Sequence, residues 1–110
     1  MTPAAARPPV TVTRSRAVPP GAAAWVPWPR RILWRPTTRP YVGLMAHELQ
    51  HVLQAERYGA AWPLVYAAQW ARVGFRYRAM PFEIEARRAE GDAEMRLWAS
   101  DVLKEAGPWP

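Results

Sequence analysis

The chain has 110 residues, a net charge of +6 and no cysteine. That length allows one compact domain, and the lack of Cys excludes disulfides, Cys-ligated zinc and a thiol nucleophile. The basic charge is uneven: residues 1–47 hold seven Arg and no acid, whereas residues 48–110 hold eight basic and nine acidic side chains. An anionic partner such as nucleic acid is one reading of that asymmetry. A composition rich in Arg, Ala and Pro, with no nucleic-acid motif among the arginines, is the other.

In chain order, residues 1–9 have no periodicity and read as a disordered or extended arm. The β-branched run Val-Thr-Val-Thr at 10–13 predicts a short strand, and Pro19-Pro20-Gly21 a turn. Residues 24–28 and 31–34 predict two more short strands, with Pro27 and Pro29 confining them to sheet edges or irregular extended structure. Residues 35–39 form a loop. A first helix is expected over 40–58, with Pro40 in its first turn and Gly59 in the left-handed position beyond its end. A second helix runs from near Pro63 to near Gly74. A third runs from Pro81 to about Ala106, with Gly91 as a weak point and residues 107–110 as a tail. The expected fold is α+β, a small and mostly antiparallel N-terminal sheet followed by three helices in one domain over 10–106. No segment has the length and apolarity of a signal peptide or a membrane span, so a soluble, cytoplasmic protein is the expectation.

Residues 47–51 read His-Glu-Leu-Gln-His and contain both histidines of the chain. On a helix, His47 and His51 lie one turn apart on one face, able to converge on a single ion. Glu48 lies about 100° further round the helix, where it can take a proton from a metal-activated water without ligating the metal. Leu44, Met45, Leu49, Val52 and Leu53 give this helix an apolar surface to bury.

A third His or Cys ligand is unavailable, and Gln54 and Arg57 stand where a metzincin would need Gly and His. A carboxylate remains, from Glu56, Glu83, Glu85, Glu90, Asp92, Glu94, Asp101 or Glu105. Glu56 points away from the His face. The run Met80-Pro81-Phe82-Glu83-Ile84-Glu85-Ala86 is the strongest source, because Pro81 sets a helix start; helical phase does not separate Glu83 from Glu85. In the first turn Glu83 also suits the helix dipole without any metal.

The run His-Glu-Leu-Gln-His-Val-Leu-Gln, followed some thirty residues later by Pro-Phe-Glu-Ile-Glu-Ala, resembles the gluzincin metallopeptidases over roughly residues 30–90. It is most similar to their smallest forms, the minigluzincins, and to short bacterial and phage domains with H-E-x-x-H-V-x-Q. The resemblance implies a zinc peptidase with Glu83 as third ligand, on a fold with an upper sheet, an active-site helix and a glutamate helix. It also implies an edge strand, with residues 31–34 as the candidate, to which substrate adds as a further strand. One departure is Arg87, where related sequences carry an Asp that supports a ligand histidine.

Other side chains have two readings each. Gln54 and Tyr58 share the His face; Gln54 either orients a ligand or bonds the backbone. Tyr77 either aims its phenol at an oxyanion or packs half-buried. Tyr66, Trp70 and Val73 belong to core or groove, and Trp25, Trp28 and Trp34 line a groove or cover the sheet. The tail at 107–110 could plug the cleft of a latent enzyme. Two functions follow: hydrolysis of a peptide or protein substrate with Zn2+, Glu48 as base and then as proton donor to the leaving amine; or a weak or latent zincin-like module whose basic N-terminal half binds nucleic acid or another anionic partner.

Overall fold

The computed structural model describes residues 7–106. The expected tail at 107–110 and the first six residues of the arm lie outside that range. Three strands, β1 (Thr11–Arg14), β2 (Ala24–Trp28) and β3 (Arg31–Trp34), precede four α-helices: α1 (Val42–Tyr58), α2 (Trp62–Arg72), α3 (Pro81–Ala89) and α4 (Ala93–Glu105). This is the α+β arrangement expected from the sequence.

The sheet order is β1-β3-β2. It is mixed: β2 and β3 form an antiparallel hairpin, whereas β1 runs parallel to β3. The hairpin turns at Pro29-Arg30, with Arg30 at φ 64°; a proline followed by a left-handed residue is the turn chemistry of a type II turn. β3 is therefore the central strand, which corrects its expected place at the edge; β2 is the exposed edge. Side chains alternate along both strands of the hairpin: Ala24, Val26, Ile32 and Trp34 face inward and are buried, as period-two pleating requires.

α1 is the axis of the molecule. Met45, Leu49 and Val52 are fully buried and join Ile32 and Trp34 of the sheet, Trp62 of α2 and Trp98 and Val102 of α4 in one core. The helix begins at Val42 with Tyr41 as its N-cap, so Pro40 sits just outside rather than in the first turn. Gly59 closes it at φ 57°, where a side chain would be strained. A short 3-10 turn, Gly59–Ala61, leads into α2, whose Pro63 lies in the first turn.

The single long third helix expected from Pro81 is two helices. The chain breaks at Glu90-Gly91-Asp92, and the Asp92 carboxylate accepts a bond from the Met95 N–H at 3.0 Å, which caps α4. The break lets α3 and α4 pack separately against α1. The described end of the arm is docked on α4: the Arg7 guanidinium lies 5.8 Å over the Trp98 ring and 3.5 Å from Asp101. No helix among the described residues is long and apolar enough to cross a membrane.

Candidate metal centre

α1 and α3 together build the site. α1 presents His47 and His51 from successive turns, with ring centroids 5.1 Å apart. α3 starts at Pro81 and brings Glu83, buried in its first turn, against both rings. Glu83 Oε1 lies 3.0 Å from His47 Nε2, and Glu83 Oε2 lies 3.0 Å from His51 Nε2. His47, His51 and Glu83 thus form a buried group of potential ligands.

Each imidazole is oriented through its other nitrogen. His47 Nδ1 faces Glu90 Oε2 at 2.7 Å and His51 Nδ1 faces Gln54 Oε1 at 2.8 Å. An acceptor at Nδ1 leaves Nε2 as the atom that each ring could offer to a metal ion. Gln54 is itself fixed, its amide N–H groups donating to the Phe82 carbonyl at 3.0 Å and to Glu85 at 3.1 Å. Gln50 also donates to Glu85, at 2.7 Å. Between the two carboxylates that helical phase could not separate, Glu83 therefore meets the histidines and Glu85 braces Gln54. Glu56 is turned away and pairs with Arg30.

Glu48 is buried beside the three, with Oε2 4.0 Å from His47 Nε2. Its Oε1 is buried without any hydrogen-bond partner. Such an atom is costly in a folded protein unless something comes to it. Burial raises the Glu48 pKa, against the opposing pull of the two histidines.

Two phenols complete the surroundings. Tyr66 donates to Glu83 Oε2 and Tyr77 to Glu83 Oε1, both at 2.6 Å. Burial, with the Glu83 charge and bond, pushes both phenols well above the usual range, so each stays protonated and donating. Burial would raise Glu83 too, but the bonds from His47, His51 and Tyr66 outweigh it and hold this carboxyl far below its ordinary value. For His47, burial acts downward, yet the bonds to Glu83 and Glu90 and the Glu48 charge together raise it to about 9. His51 is raised by the same balance, with Gln54 in place of Glu90.

Among the residues expected at the site, His47, Glu48, His51 and Glu83 come together, and Tyr77 joins them through Glu83. Glu90 was visible only as one of eight possible ligands. Its signal was its spacing, seven residues or two helical turns after Glu83. It supplies the carboxylate on a ligand histidine that Arg87 could not. Arg87 turns instead to the Arg78 carbonyl, at 2.6 Å. Tyr66, read as a core or groove aromatic, lines the groove and touches the ligand carboxylate. Tyr58 packs on Trp62 and Phe82.

A cleft of about 660 Å³ opens onto Glu48, His51, Glu83 and Tyr77. One side is β2 with the turn before it, the other is α2. Arg35 holds that turn by donating to the carbonyls of Val18, Pro19 and Ala22 at 2.8–3.0 Å, and Trp25 is tied to the Ala17 carbonyl at 3.0 Å. The cleft is therefore walled by ordered chain on both sides.

Fold and site together define an α+β chain with a buried group of two histidines and one glutamate that could hold a metal ion, beside an open cleft. No protein-family model, curated protein or solved structure matches the chain.

Proposed function

We propose that the protein is a metal-dependent hydrolase of the gluzincin type that cleaves peptide bonds, with zinc held by His47, His51 and Glu83. The observation that carries this reading is the buried, unpartnered Glu48 carboxylate oxygen beside three convergent ligand atoms at the wall of a cleft. The donor set fits zinc in number and type. The 3.0 Å separations run from the two Nε2 atoms to different Glu83 oxygens, and the three candidate ligand atoms lie within 4.8 Å of one another, near the spacing of about 3.4 Å between ligands of one tetrahedral zinc ion. Two imidazoles and one carboxylate leave a fourth position open to the cleft.

Bound there, the ion would supply Lewis-acid polarisation of the scissile carbonyl and lower the pKa of the attacking water. Glu48 takes the proton as the water oxygen bonds to the carbonyl carbon. As the C–N bond breaks, Glu48 returns that proton to the leaving nitrogen, so the carboxylate ends as it began. Glu90 and Gln54 keep both Nε2 atoms aimed at the site. Tyr77, at the cleft, has a phenol able to swing from Glu83 to an oxyanion.

The β2 edge beside the cleft supports an extended substrate. Strand alternation turns the main-chain groups of Ala24 and Val26 outward, and the Val26 carbonyl is already taken by Trp62 Nε1 at 2.9 Å. Ala24 is thus the edge position with the most to offer a substrate strand. The nucleic-acid reading has less support, because Arg7, Arg30 and Arg35 of the basic half are engaged with Asp101, Glu56 and backbone carbonyls.

The test is metal content of the purified protein together with turnover of a quenched fluorescent casein. Wild type and Glu48→Gln should both hold about one zinc per chain. Hydrolysis by Glu48→Gln should fall by at least about 10²-fold. Unchanged turnover in that variant, or loss of zinc from neither His47→Ala nor Glu83→Ala, would contradict the proposal.

A further inference from the structure

The cleft has no charged lining other than the metal centre itself. Its walls are Trp25, Trp62, Tyr66, Trp70 and the prolines of the turn and α2. An apolar side chain is the natural occupant of such a slot.

Where Tyr77 lines the cleft, the character changes. Arg76 and Arg78 flank Tyr77 in sequence and are exposed, and Arg87 reaches the same turn by its bond to the Arg78 carbonyl. Among the described residues no ion pair joins any of the three arginines to an acid; Arg76 donates to the Val73 carbonyl and Arg87 to the Arg78 carbonyl, contacts that leave their charge unneutralised. Nor is there an acid anywhere from Arg57 to Phe82, a stretch that also contains Arg72. Unopposed cations around a cleft mouth concentrate anionic ligands.

The aromatic wall also extends towards this rim. Trp70 meets Phe75 edge-on at 5.1 Å, and Phe75 is 63 % exposed. Phe75 has φ 62°, a left-handed conformation that is strained for a bulky residue. A large aromatic held there and left in solvent is better placed for contact than for packing.

We propose that the cleft selects acidic peptide segments: an apolar side chain enters the aromatic slot, and Asp or Glu residues a few positions along the peptide sit on Arg76, Arg78 and Arg87. Cleavage of such a segment rests on the hydrolase reading above; its binding does not.

The experiment uses Glu48→Gln protein, in parallel with added zinc and with chelator, and fluorescein-labelled short peptides with a Leu-Phe-Leu centre, flanked on both sides by Asp or by Lys, alongside oligo(dT). At about 50 mM salt the Asp-flanked peptide should bind about tenfold tighter than the Lys-flanked one, and at about 500 mM the ratio should shrink towards unity. In Arg76→Glu/Arg78→Glu the preference should vanish or reverse, and in Arg76→Gln/Arg78→Gln it should fall between. Replacing the Leu-Phe-Leu centre by Ser-Asn-Ser should weaken binding about tenfold or more. Equal affinity for the two flanks, a preference that survives charge reversal, or tighter binding of oligo(dT) would overturn the proposal. Wild-type turnover of the same peptides separates the two readings. Acid-selective binding with no cleavage would sink the hydrolase alone, and cleavage blind to charge would sink the acidic selection alone.

Discussion

Each ligand at this centre is oriented by a second residue, and the quality of the site depends on those contacts. Glu90 meets His47 Nδ1 at 2.7 Å, with its side chain partly open to solvent. Removing a partner that fixes ring orientation typically weakens a metal site by about 10–100-fold. Glu90→Ala should therefore lower zinc affinity by that factor, measured by competition with a chromophoric chelator, while leaving the fold intact; unchanged affinity would contradict its orienting role. The same contacts set the pH behaviour. In metal-free protein, His47 is raised from its unfolded value to about 9, so its contribution to stability is complete below the unfolded pKa and fades as pH rises through about 9. Glu83 is lowered, so its contribution holds above the ordinary carboxylate range and is lost as pH falls towards its folded value. Zinc must displace the protons on the Nε2 atoms. Uptake at pH 7 should therefore release protons, and apparent affinity should climb with pH up to about 9. Calorimetric titration in buffers of different ionisation enthalpy would detect the release, and a heat independent of buffer would exclude it.

Among the elements, the division of α3 from α4 matters most. A continuous helix through residue 91 would carry residues 93–105 along the direction of α3 and away from α1. Gly91 weakens helical continuation and Asp92 restarts it by bonding the Met95 N–H. The loss of such a cap costs about 1 kcal/mol. Asp92→Ala should lower the melting temperature by about 4–8 °C for a domain of this size, whereas Asp92→Ser or Asp92→Asn should restore most of it. Equal melting of Ala and Ser variants would show that the break does not depend on the cap. Glu90 ends α3 in a helical backbone conformation, two turns after Glu83, and its carboxylate meets His47 there.

For the whole molecule, α1 carries both the core and the ligands: its Met45, Leu49 and Val52 pack on the sheet and α4, while His47, Glu48 and His51 face α3 and the cleft. A buried cluster of one acid between two imidazoles, with a further unpartnered carboxylate oxygen, is a weak point in so small a chain. Zinc binding to the folded state should relieve it. At free zinc about 100 times the dissociation constant, linkage adds about 2.7 kcal/mol, which is a rise of about 10 °C or more in melting temperature. Chelator should reverse the rise, and His47→Ala should abolish it; a melting curve indifferent to zinc would argue against the ion at this site.

The shared helical face of His47 and His51, with Glu48 beside them, was legible in the sequence, because one helix fixes its own internal geometry; that an acid would have to complete the group was legible from the lack of a further His or Cys. The three strands and the α+β plan were legible from alternation and from proline and glycine punctuation. What remained open required contact between segments distant in sequence. Glu83 rather than Glu85 meets the histidines because of how α3 is rotated against α1. β2 rather than β3 is the edge because β1 pairs parallel to β3. Glu90 replaces the missing Asp because α3 lies against α1 with Glu83 and the residue two turns on both facing His47. Local sequence determines where side chains lie on their own element; only the packing of one element on another decides which of them meet.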